Sequence, residues 1–344
     1  MTWAIYGAYG YTGRLVAELA VERGHAPLLL GRNEQQLSAL AAELGLEHRA
    51  CSVDDAAALQ AALKDVDVLA HCAGPFSRTS RQVVDACLAT GTHYIDVTGE
   101  IDVLEAVLDR HEEAKQAAIA LLPGSGFDVV PTDCLAAMVA GALPGADRIE
   151  LAFRAGGGIT RGTTLTALES LGTGGRARVN GTIVNVPAAW KRRAFDFPSR
   201  TATVTSIPWG DVSTATRSTG VPNVITYTEV PMPRLQPAVA LLLKVPGTKQ
   251  GLSAIARRAL SGPSTDVRAK TKSEVVAEAH RGSETVDAAL TTPNGYALTA
   301  DSVVRIVERV QAGAVPAGAW TPSQAHGAEF VLDLDGVTLE RKPS

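Results

Sequence analysis

Met1-Thr-Trp-Ala-Ile-Tyr6-Gly7-Ala-Tyr-Gly10-Tyr-Thr-Gly13 opens the chain and decides its fold. A short apolar strand runs directly into three spaced glycines, and a helix-forming stretch follows from Arg14 to Arg23. This order of strand, glycine turn and helix places backbone N–H groups and the positive end of a helix dipole against an anion, most often a dinucleotide pyrophosphate. Glycines permit the tight turn and the close approach of the phosphates. Because G-x-x-G-x-x-G is rarer than G-x-G-x-x-G, the prediction depends on the sequence that follows.

The next strand ends in a cation where many dinucleotide-binding domains have an acid. Ala26-Pro-Leu-Leu-Leu30 leads into Gly31-Arg32-Asn33, about twenty residues after the glycine turn, where NAD-specific domains place Asp or Glu on the ribose 2′-hydroxyl. The guanidinium of Arg32 suits a 2′-phosphate instead. Glu34 is expected in the first turn of the following helix. We therefore predict NADP(H) as the cofactor; the alternative is that Arg32 is a solvated loop residue.

Strands and helices alternate through the first 120 residues of the chain. This alternation favours an α/β fold, a Rossmann-type doubly wound parallel sheet joined by right-handed crossovers. Asn33 with Gln36 predicts a helix start, and Gly45 and Gly91 predict helix ends. The expected strands are 2–6, 26–31, 47–51, 67–72, 93–97 and 118–122, and the expected helices are 11–23, 33–44, 55–63, 79–90 and 101–115.

After residue 147 the hydrophobic pattern changes to alternation with period two. Residues 148–154, 181–186, 202–207 and 224–230 are predicted to be half-exposed strands of a second α+β domain with a mixed or antiparallel sheet. A late helix is expected over 299–312 and a last strand over 329–334. The predicted organisation is a nucleotide-binding domain over 1–146, a substrate and dimerisation domain over 147–320, and a closing segment over 321–344.

Composition favours a cytoplasmic enzyme. The 344 residues are 46% hydrophobic and 20% charged, and no apolar run approaches the ~18 residues that span a bilayer. No leader is expected, because the glycine turn follows the start almost at once. The four cysteines and seven histidines lack metal-ligand spacing, so no metal site is predicted. The Y-x-x-x-K pair of short-chain reductases is absent.

Charge is unevenly distributed along the chain. Residues 1–150 carry 10 Lys and Arg against 21 Asp and Glu, whereas residues 231–272 carry 8 Lys and Arg against Asp266 alone. The basic segment 234–272 is interpreted either as a solvated helical face or as a contact with an anionic membrane, an acidic carrier protein or a phosphate-bearing substrate arm. The aromatic content gives no indication of nucleic-acid binding.

Three loops at the carboxyl ends of the predicted parallel strands are expected to carry function, because ligands bind at that edge. The fourth strand ends in His71-Cys72-Ala73-Gly74-Pro75-Phe76, the fifth in His93-Tyr-Ile-Asp96-Val-Thr98-Gly99-Glu100, and the sixth in Leu122-Pro-Gly124-Ser-Gly126-Phe127-Asp128. Small residues after the fourth strand would let the backbone approach the cofactor. His71 is interpreted mainly as a packing residue.

These motifs resemble the saccharopine dehydrogenase-like superfamily, and within it the trans-acting enoyl reductases. The resemblance rests on the glycine turn, on Gly31-Arg32-Asn33, and on the loop motifs Cys72–Phe76, Tyr94–Glu100 and Gly126–Pro131. Ile207-Pro-Trp-Gly-Asp-Val212, Gly295-Tyr-Ala-Leu-Thr299 and Phe330–Gly336 extend it along most of the chain. The resemblance implies NADPH-dependent hydride delivery and a mixed second domain that supplies a substrate cleft and a homodimer contact.

The resemblance also implies roles for individual residues. Gly7, Tyr9, Gly10, Tyr11, Thr12 and Gly13 would lie at the pyrophosphate and Arg32 at the 2′-phosphate, while Cys72, Ala73, Gly74, Pro75, Phe76 and Phe127 would flank the nicotinamide. Glu100 and Asp128 lie on the right loops for general acid work, with helix capping as the alternative for each.

Three functions remain open at this point. The first is reduction of an activated C=C bond in an acyl thioester or lipid-like substrate, with an acyl carrier or a peripheral membrane contact as partner. The second is a saccharopine reductase-like imine reduction, which needs cations for substrate carboxylates and has Arg154, Arg161, Arg176 and Arg178 available. The third is a non-catalytic NADP-binding module.

Overall fold

A computed structural model describes residues 2–156, 174–229 and 262–340. Its contacts divide the chain into two compact units, of which unit 1 comprises Met1–Val130 and Tyr296–Gly327 and unit 2 comprises Pro131–Gly295 and Ala328–Ser344. This division differs from the expected boundaries after residues 146 and 320. The helix Val130–Ala142 belongs almost wholly to unit 2, and the helix Gly295–Gln311 returns the chain to unit 1.

Unit 1 alternates strands and helices, numbered here in chain order. The strands are β1 (Trp3–Tyr6), β2 (Leu28–Gly31), β3 (His48–Ala50), β4 (Val68–His71), β5 (His93–Asp96), β6 (Ala120–Leu122) and β15 (Gly318–Ala319). The helices are α1 (Tyr11–Glu22), α2 (Glu34–Leu44), α3 (Ala56–Leu63), α4 (Ser80–Thr90), α5 (Ile101–Leu108) and α6 (His111–Gln116), followed late in the chain by Gly295–Gln311 and Pro322–His326.

The strands of unit 1 form one parallel sheet in the order β15-β6-β5-β4-β1-β2-β3. β1 is an interior strand, with Ile5 opposite both Leu29 of β2 and Ala70 of β4. This order is that of a doubly wound nucleotide-binding sheet, and it places the carboxyl ends of the strands at one edge. The predicted fold class is confirmed, and each of the six predicted strands lies within two residues of its expected bounds.

Local signals fixed most helix ends in unit 1. The side chain of Asn33 accepts the N–H of Gln36 at 3.0 Å, and Gly45 and Gly91 end their helices with φ of 68° and 74°. The single helix expected over 101–115 is instead two, α5 and α6. The apolar face of α5 ends at Leu108, and the following turn of α6 buries only Ala114.

The helix Gly295–Gln311 joins unit 1 through a buried apolar face and two ion pairs. Its buried residues include Val303, Val304, Ile306, Val307 and Val310. An Arg23 Nη2 atom lies 2.5 Å from Asp301, and His25 Nε2 lies 2.9 Å from Glu308. These contacts join residues more than 270 positions apart, so no local pattern could have assigned this helix to the first domain.

Unit 2 contains a mixed sheet. Its strands are β7 (Arg148–Arg154), β8 (Gly175–Val179), β9 (Thr182–Val186), β10 (Arg192–Asp196), β11 (Thr201–Ile207), β12 (Asn223–Thr228), β13 (Lys272–Arg281), β14 (Glu284–Pro293) and β16 (Thr338–Glu340). Besides Val130–Ala142, the described helices are Asp211–Thr219 and Thr265–Lys270. The strand order is β10-β11-β12-β7-β13-β14-β16, with β8 pairing β12 and β9. β7 runs parallel to β12 and antiparallel to β13, so the sheet is mixed as predicted.

Two expectations for the second half were incomplete or wrong. The long hairpin of β13 and β14 was not predicted, because its buried positions do not alternate cleanly with polar ones. The strand expected over 329–334 is wrong, since Ala328–Asp333 forms a 3₁₀ helix and the pairing strand is β16. Phe330, Val331 and Leu334 are the buried positions there, which is the spacing of a helical turn rather than of a strand.

One arginine bridges two facing carboxylates in unit 2. Glu150 of β7 stands directly opposite Glu278 of β13 in the register, an arrangement that is repulsive by itself. Arg193 of β10 forms an ion pair with Glu150, and its Nη1 atom lies 2.9 Å from Glu278 Oε2. The hydroxyl of Tyr227 also donates to Glu150 Oε1 at 3.0 Å. Because β11 and β12 separate β10 from β7 in the strand order, this contact requires the sheet to curl over its own face.

We expect Arg193→Ala to lower the free energy of unfolding by roughly 2–3 kcal/mol, because it removes the cation that bridges two carboxylates and leaves Glu150 only the more distant Arg148, at 3.9 Å. The partial exposure of Arg193 keeps the loss below that of a fully buried pair. Burial already raises the pKa of Glu278. Without Arg193 the folded state should bind protons more readily than the unfolded chain, so the loss should shrink as the pH falls. Urea unfolding at two pH values measures both effects.

The matched control is Arg192→Ala, which removes the same charge from an exposed position on the same strand. An equal loss of stability in both variants would contradict the bridging role of Arg193.

Candidate functional site

The glycine turn after β1 is built so that three backbone segments meet without side chains. Gly7 has φ of +83°, and a Cβ atom there would lie 2.8 Å from the Cβ atom of Ala73 in the loop after β4. A Cβ on Gly13 would collide with the carbonyl oxygen of Gly7. The N–H of Gly10 donates to that same oxygen at 2.9 Å. The spacing G-x-x-G-x-x-G therefore follows from close backbone packing, and phosphate binding at this turn stays a prediction.

The N-terminus of α1 directs its leading backbone N–H groups toward this turn. Gly10 is the N-cap residue and makes no side-chain capping bond, and the first turn of the helix holds no acidic residue. The leading N–H groups of a helix lack partners within the helix, and its dipole adds partial positive charge. The turn thus fits a pyrophosphate, with Tyr11, Thr12 and Gly13 supplying the first-turn amides.

The end of β2 carries the predicted 2′-phosphate residue. The ring of Tyr9 packs on Gly31, where a Cβ would lie 2.8 Å from Tyr9 Cε1. The next residue, Arg32, is exposed, and among the described residues no carboxylate forms an ion pair with it. A neighbouring cation that is not already paired is what a 2′-phosphate requires. In the strand order β4-β1-β2, Arg32 and the Cys72–Phe76 loop lie on opposite sides of β1.

The loop after β4 is held by an internal network. His71 is fully buried, and its Nε2 atom lies 2.9 Å from Thr79 Oγ1, whose hydroxyl donates to the carbonyl oxygen of Ala73 at 2.8 Å. Phe76 packs edge-on against the His71 ring with centroids 5.2 Å apart. Burial lowers the pKa of His71 to about 3, so this imidazole stays neutral. The expectation that His71 is a packing residue agrees with these contacts.

The thiol of Cys72 is not set up as a nucleophile. Burial, with a smaller contribution from Asp96, raises the pKa of Cys72 to about 12. A thiol, rather than a thiolate, therefore lies on this loop at neutral pH. The peptide bond between Gly74 and Pro75 in the same loop is cis.

Glu100 contacts the loop after β4 rather than its own helix. It is the N-cap residue of α5 but makes no side-chain capping bond there, so the capping alternative is wrong for its carboxylate. Instead Oε1 accepts the N–H of Phe76 and Oε2 accepts the N–H of Ser77, both at 2.9 Å. Its assignment as a general acid stays a prediction, and both of its oxygens are engaged.

Asp96 is a buried carboxylate that the sequence analysis did not single out. Its Oδ1 atom accepts the N–H groups of Thr98 and Gly124, both at 2.9 Å, and its Oδ2 atom accepts the Tyr94 hydroxyl at 2.6 Å. Burial raises its pKa to about 6, against the lowering effect of these hydrogen bonds. Asp96 thus ties the loop after β5 to the loop after β6. The sequence feature that could have identified Asp96 is its position as a carboxylate at the end of an apolar strand.

Asp128 lies on the loop after β6, against the loop after β5. A Cβ on Gly99 would come within 3.0 Å of both the Cβ and the Oδ2 atoms of Asp128. Burial raises the pKa of Asp128 to about 7, which keeps a large fraction of the carboxyl protonated at neutral pH. A partly exposed carboxyl with a raised pKa is typical of a proton donor.

The returning helix contributes two residues, Tyr296 and Thr299, from a motif that the sequence analysis quoted without assigning it to the site. The hydroxyl of Thr299 accepts the N–H of Phe127 at 2.9 Å. The ring of Tyr296 packs edge-on against Tyr11 of the glycine turn, with centroids 5.0 Å apart. The loop after β6 and the start of α1 are thus both braced by the start of the helix Gly295–Gln311.

Outside unit 1, one group of possible metal ligands lies among the described residues, namely Glu150, Glu278 and His280. Arg193 already places a positive charge between the two carboxylates, in the position where a cation would bind. The absence of a metal site stays a prediction.

Most of the basic segment 234–272 lies outside the described residues, which resume at 262. Its proposed membrane or carrier contact therefore stays a prediction. Among the helices of the described residues, none is both long enough and apolar enough to span a bilayer.

Comparison with known proteins agrees with this geometry. Residues 3–122 match the family profile described as the saccharopine dehydrogenase NADP binding domain. A Mycobacterium tuberculosis protein assigned as a trans-acting enoyl reductase is 32% identical over 185 residues, covering 49% of this chain and 44% of that protein. A saccharopine dehydrogenase-like oxidoreductase of Bos taurus is 30% identical over 151 residues, covering 38% of this chain and 35% of that protein. The matches thus span less than half of either relative.

Similarity of fold extends along the whole chain. Saccharopine dehydrogenase (L-Glu forming) from Saccharomyces cerevisiae superimposes with a TM-score of 0.69 at 14% identity, covering 99% of both chains. Homospermidine synthase from Legionella pneumophila, in complex with NAD, gives 0.68 at 10% identity and covers 99% of this chain and 91% of that one. Residues 3–122 are therefore similar to the NADP-binding domain of the saccharopine dehydrogenases, and the fold along the whole chain is that of the solved saccharopine dehydrogenase. The cofactor that the family match indicates is NADP(H).

Proposed function

We propose that this protein is an NADPH-dependent reductase of an activated C=C bond in an acyl thioester or another lipid-like substrate. The observation that carries the proposal is a carboxyl with a raised pKa, Asp128, on the strand edge where the glycine turn lies. The substrate class comes from the relative assigned as a trans-acting enoyl reductase, which the chain matches over less than half its length.

Residues of unit 1 would divide the binding of the cofactor among three loops. The glycine turn and the first amides of α1 would hold the pyrophosphate, and Arg32 would pair with the 2′-phosphate. The Cys72–Phe76 loop and Phe127 would flank the nicotinamide. When bound, NADPH supplies the hydride.

Asp128 would supply the proton. Reduction of a conjugated double bond places negative charge on the carbonyl oxygen and on the α-carbon, and a neutral carboxyl can donate a proton there. His71 is not available for this role, because it is buried, neutral and bonded to Thr79. The oxygens of Asp96 are engaged by backbone amides and by Tyr94.

Imine reduction on an amino acid is less well supported. It requires cations that are free to bind substrate carboxylates, yet Arg154 pairs with Glu229 and Glu274. Arg178 donates to backbone carbonyl oxygens. Arg161 lies outside the described residues. A non-catalytic NADP-binding module remains the outcome if NADPH binds but no reduction is found.

We expect Arg32→Asp to weaken NADPH binding by about 10- to 100-fold and to leave NADH binding nearly unchanged, because only NADPH carries the 2′-phosphate. Calorimetric titration with each nucleotide measures the difference. Lys64→Asp is the matched control, since it reverses a charge at an exposed position of the same unit, just after α3. Equal losses for NADPH and NADH in Arg32→Asp would refute the 2′-phosphate assignment.

We expect Asp128→Asn to lower turnover by about 100-fold or more while NADPH still binds, since general acid catalysis contributes on this scale. A proton donor works in its protonated form, so wild-type turnover should fall as the pH rises through about 7. That limb of the pH profile should be absent in the variant. The assay follows NADPH oxidation with a 2-enoyl thioester, and an unchanged rate would remove Asp128 from the chemistry.

A further inference from the structure

Both oxygens of the Glu100 carboxylate bind the backbone of another loop. Oε1 accepts the N–H of Phe76 and Oε2 the N–H of Ser77, each at 2.9 Å. These amides begin the 3₁₀ turn Phe76–Arg78, so the carboxylate sits where such a turn has unpaired donors. Each of these two N–H groups thus has its own carboxylate oxygen as acceptor.

The same loop is held from its other side by a second set of bonds. The Thr79 hydroxyl donates to Ala73 O at 2.8 Å and is itself bonded to the buried His71. The Cβ of Ala73 abuts Gly7 of the phosphate-binding turn. The ring of Phe76, next to the amide that Glu100 binds, packs on His71. The loop is therefore held by contacts with the glycine turn and with Glu100, and Glu100 supplies the acidic group among these contacts.

We propose that Glu100 is a positioning residue, which holds the Cys72–Phe76 loop in the conformation that receives the nicotinamide ring. Glu100 does not donate the proton. The proposal rests on the proposed function, in that it takes NADPH as the ligand of this loop. It assigns Glu100 a task different from the proton donation proposed for Asp128, and it rests on the two bonds that the Glu100 carboxylate accepts.

The first test compares a whole cofactor with a fragment that lacks the nicotinamide. Glu100→Gln keeps the shape of the side chain but replaces one accepting oxygen with an NH₂ group that faces a backbone N–H. We expect it to weaken NADPH binding by about 10-fold and to leave the binding of adenosine 2′,5′-bisphosphate unchanged. Titrations without substrate give both values, so they do not depend on reductase activity.

The second test separates positioning from proton donation. Glu100→Gln should keep the fall of turnover above about pH 7 that Asp128 produces, at a reduced rate. Hydrogen exchange at the Phe76 and Ser77 amides should be faster in the variant. Asp102→Asn is the control, because it removes a carboxylate from an exposed position in the first turn of the same helix. It should alter neither the NADPH affinity nor these two amides.

Three outcomes would overturn the proposal. Equal losses of NADPH and fragment binding would mean that Glu100 only maintains the fold. Unchanged NADPH binding with loss of the pH-dependent limb would make Glu100 the proton donor. If Glu100→Gln does not fold, Glu100→Asp keeps the charge on a shorter arm, and unaltered NADPH binding there would refute positioning. Failure of the proposed function has a different signature, namely intact NADPH binding without reduction in the wild-type protein.

Discussion

The contact between Gly7 and Ala73 is the constraint on which the candidate site depends. A Cβ atom on Gly7 would lie 2.8 Å from the Cβ atom of Ala73. The turn after β1 and the loop after β4 can therefore approach this closely only because Gly7 has no side chain. Because β1 lies between β4 and β2, both halves of the candidate cofactor site are placed relative to this turn. Gly13 extends the same constraint to α1, since its missing side chain lets the helix pack on the carbonyl oxygen of Gly7.

Three carboxylates in the loops after β5 and β6 lie in three different environments. Asp96 is wholly buried and satisfied by amides and a tyrosine, which makes it a brace between two loops. Glu100 is half-buried and bound to the amides of a third loop. The pKa of Asp128 is raised by burial. The same functional group thus serves structure, positioning and proposed acid chemistry, and the partners rather than the residue type decide which.

The sheet of unit 2 contains two facing carboxylates that pair with an arginine from an edge strand. Its central strands place Glu150 and Glu278 face to face beside a largely apolar cluster, and an edge strand must curl over to bring Arg193 to them. The intact ion pairs add little net stability, because each charge must first leave water, but removing one partner leaves an uncompensated charge. The contacts of Arg193 with Glu150 and Glu278 form only when the sheet is curled.

The sequence by itself determined the nucleotide-binding half of unit 1. Its glycine spacing, its apolar strands and its caps at Asn33, Gly45 and Gly91 act within a few residues of one another, so one-dimensional patterns report them. The candidate residues Gly7, Arg32 and Asp128 were found in this way. Only the tertiary structure decided what Glu100 binds, that Asp96 joins two loops, and that Tyr296 and Thr299 return to the site. Those contacts join residues 24 to 285 positions apart, and contacts at such separations leave no periodic pattern in the sequence. The 3₁₀ helix at Ala328–Asp333 shows the same limit, because a short apolar run has no fixed conformation until its neighbours pack against it.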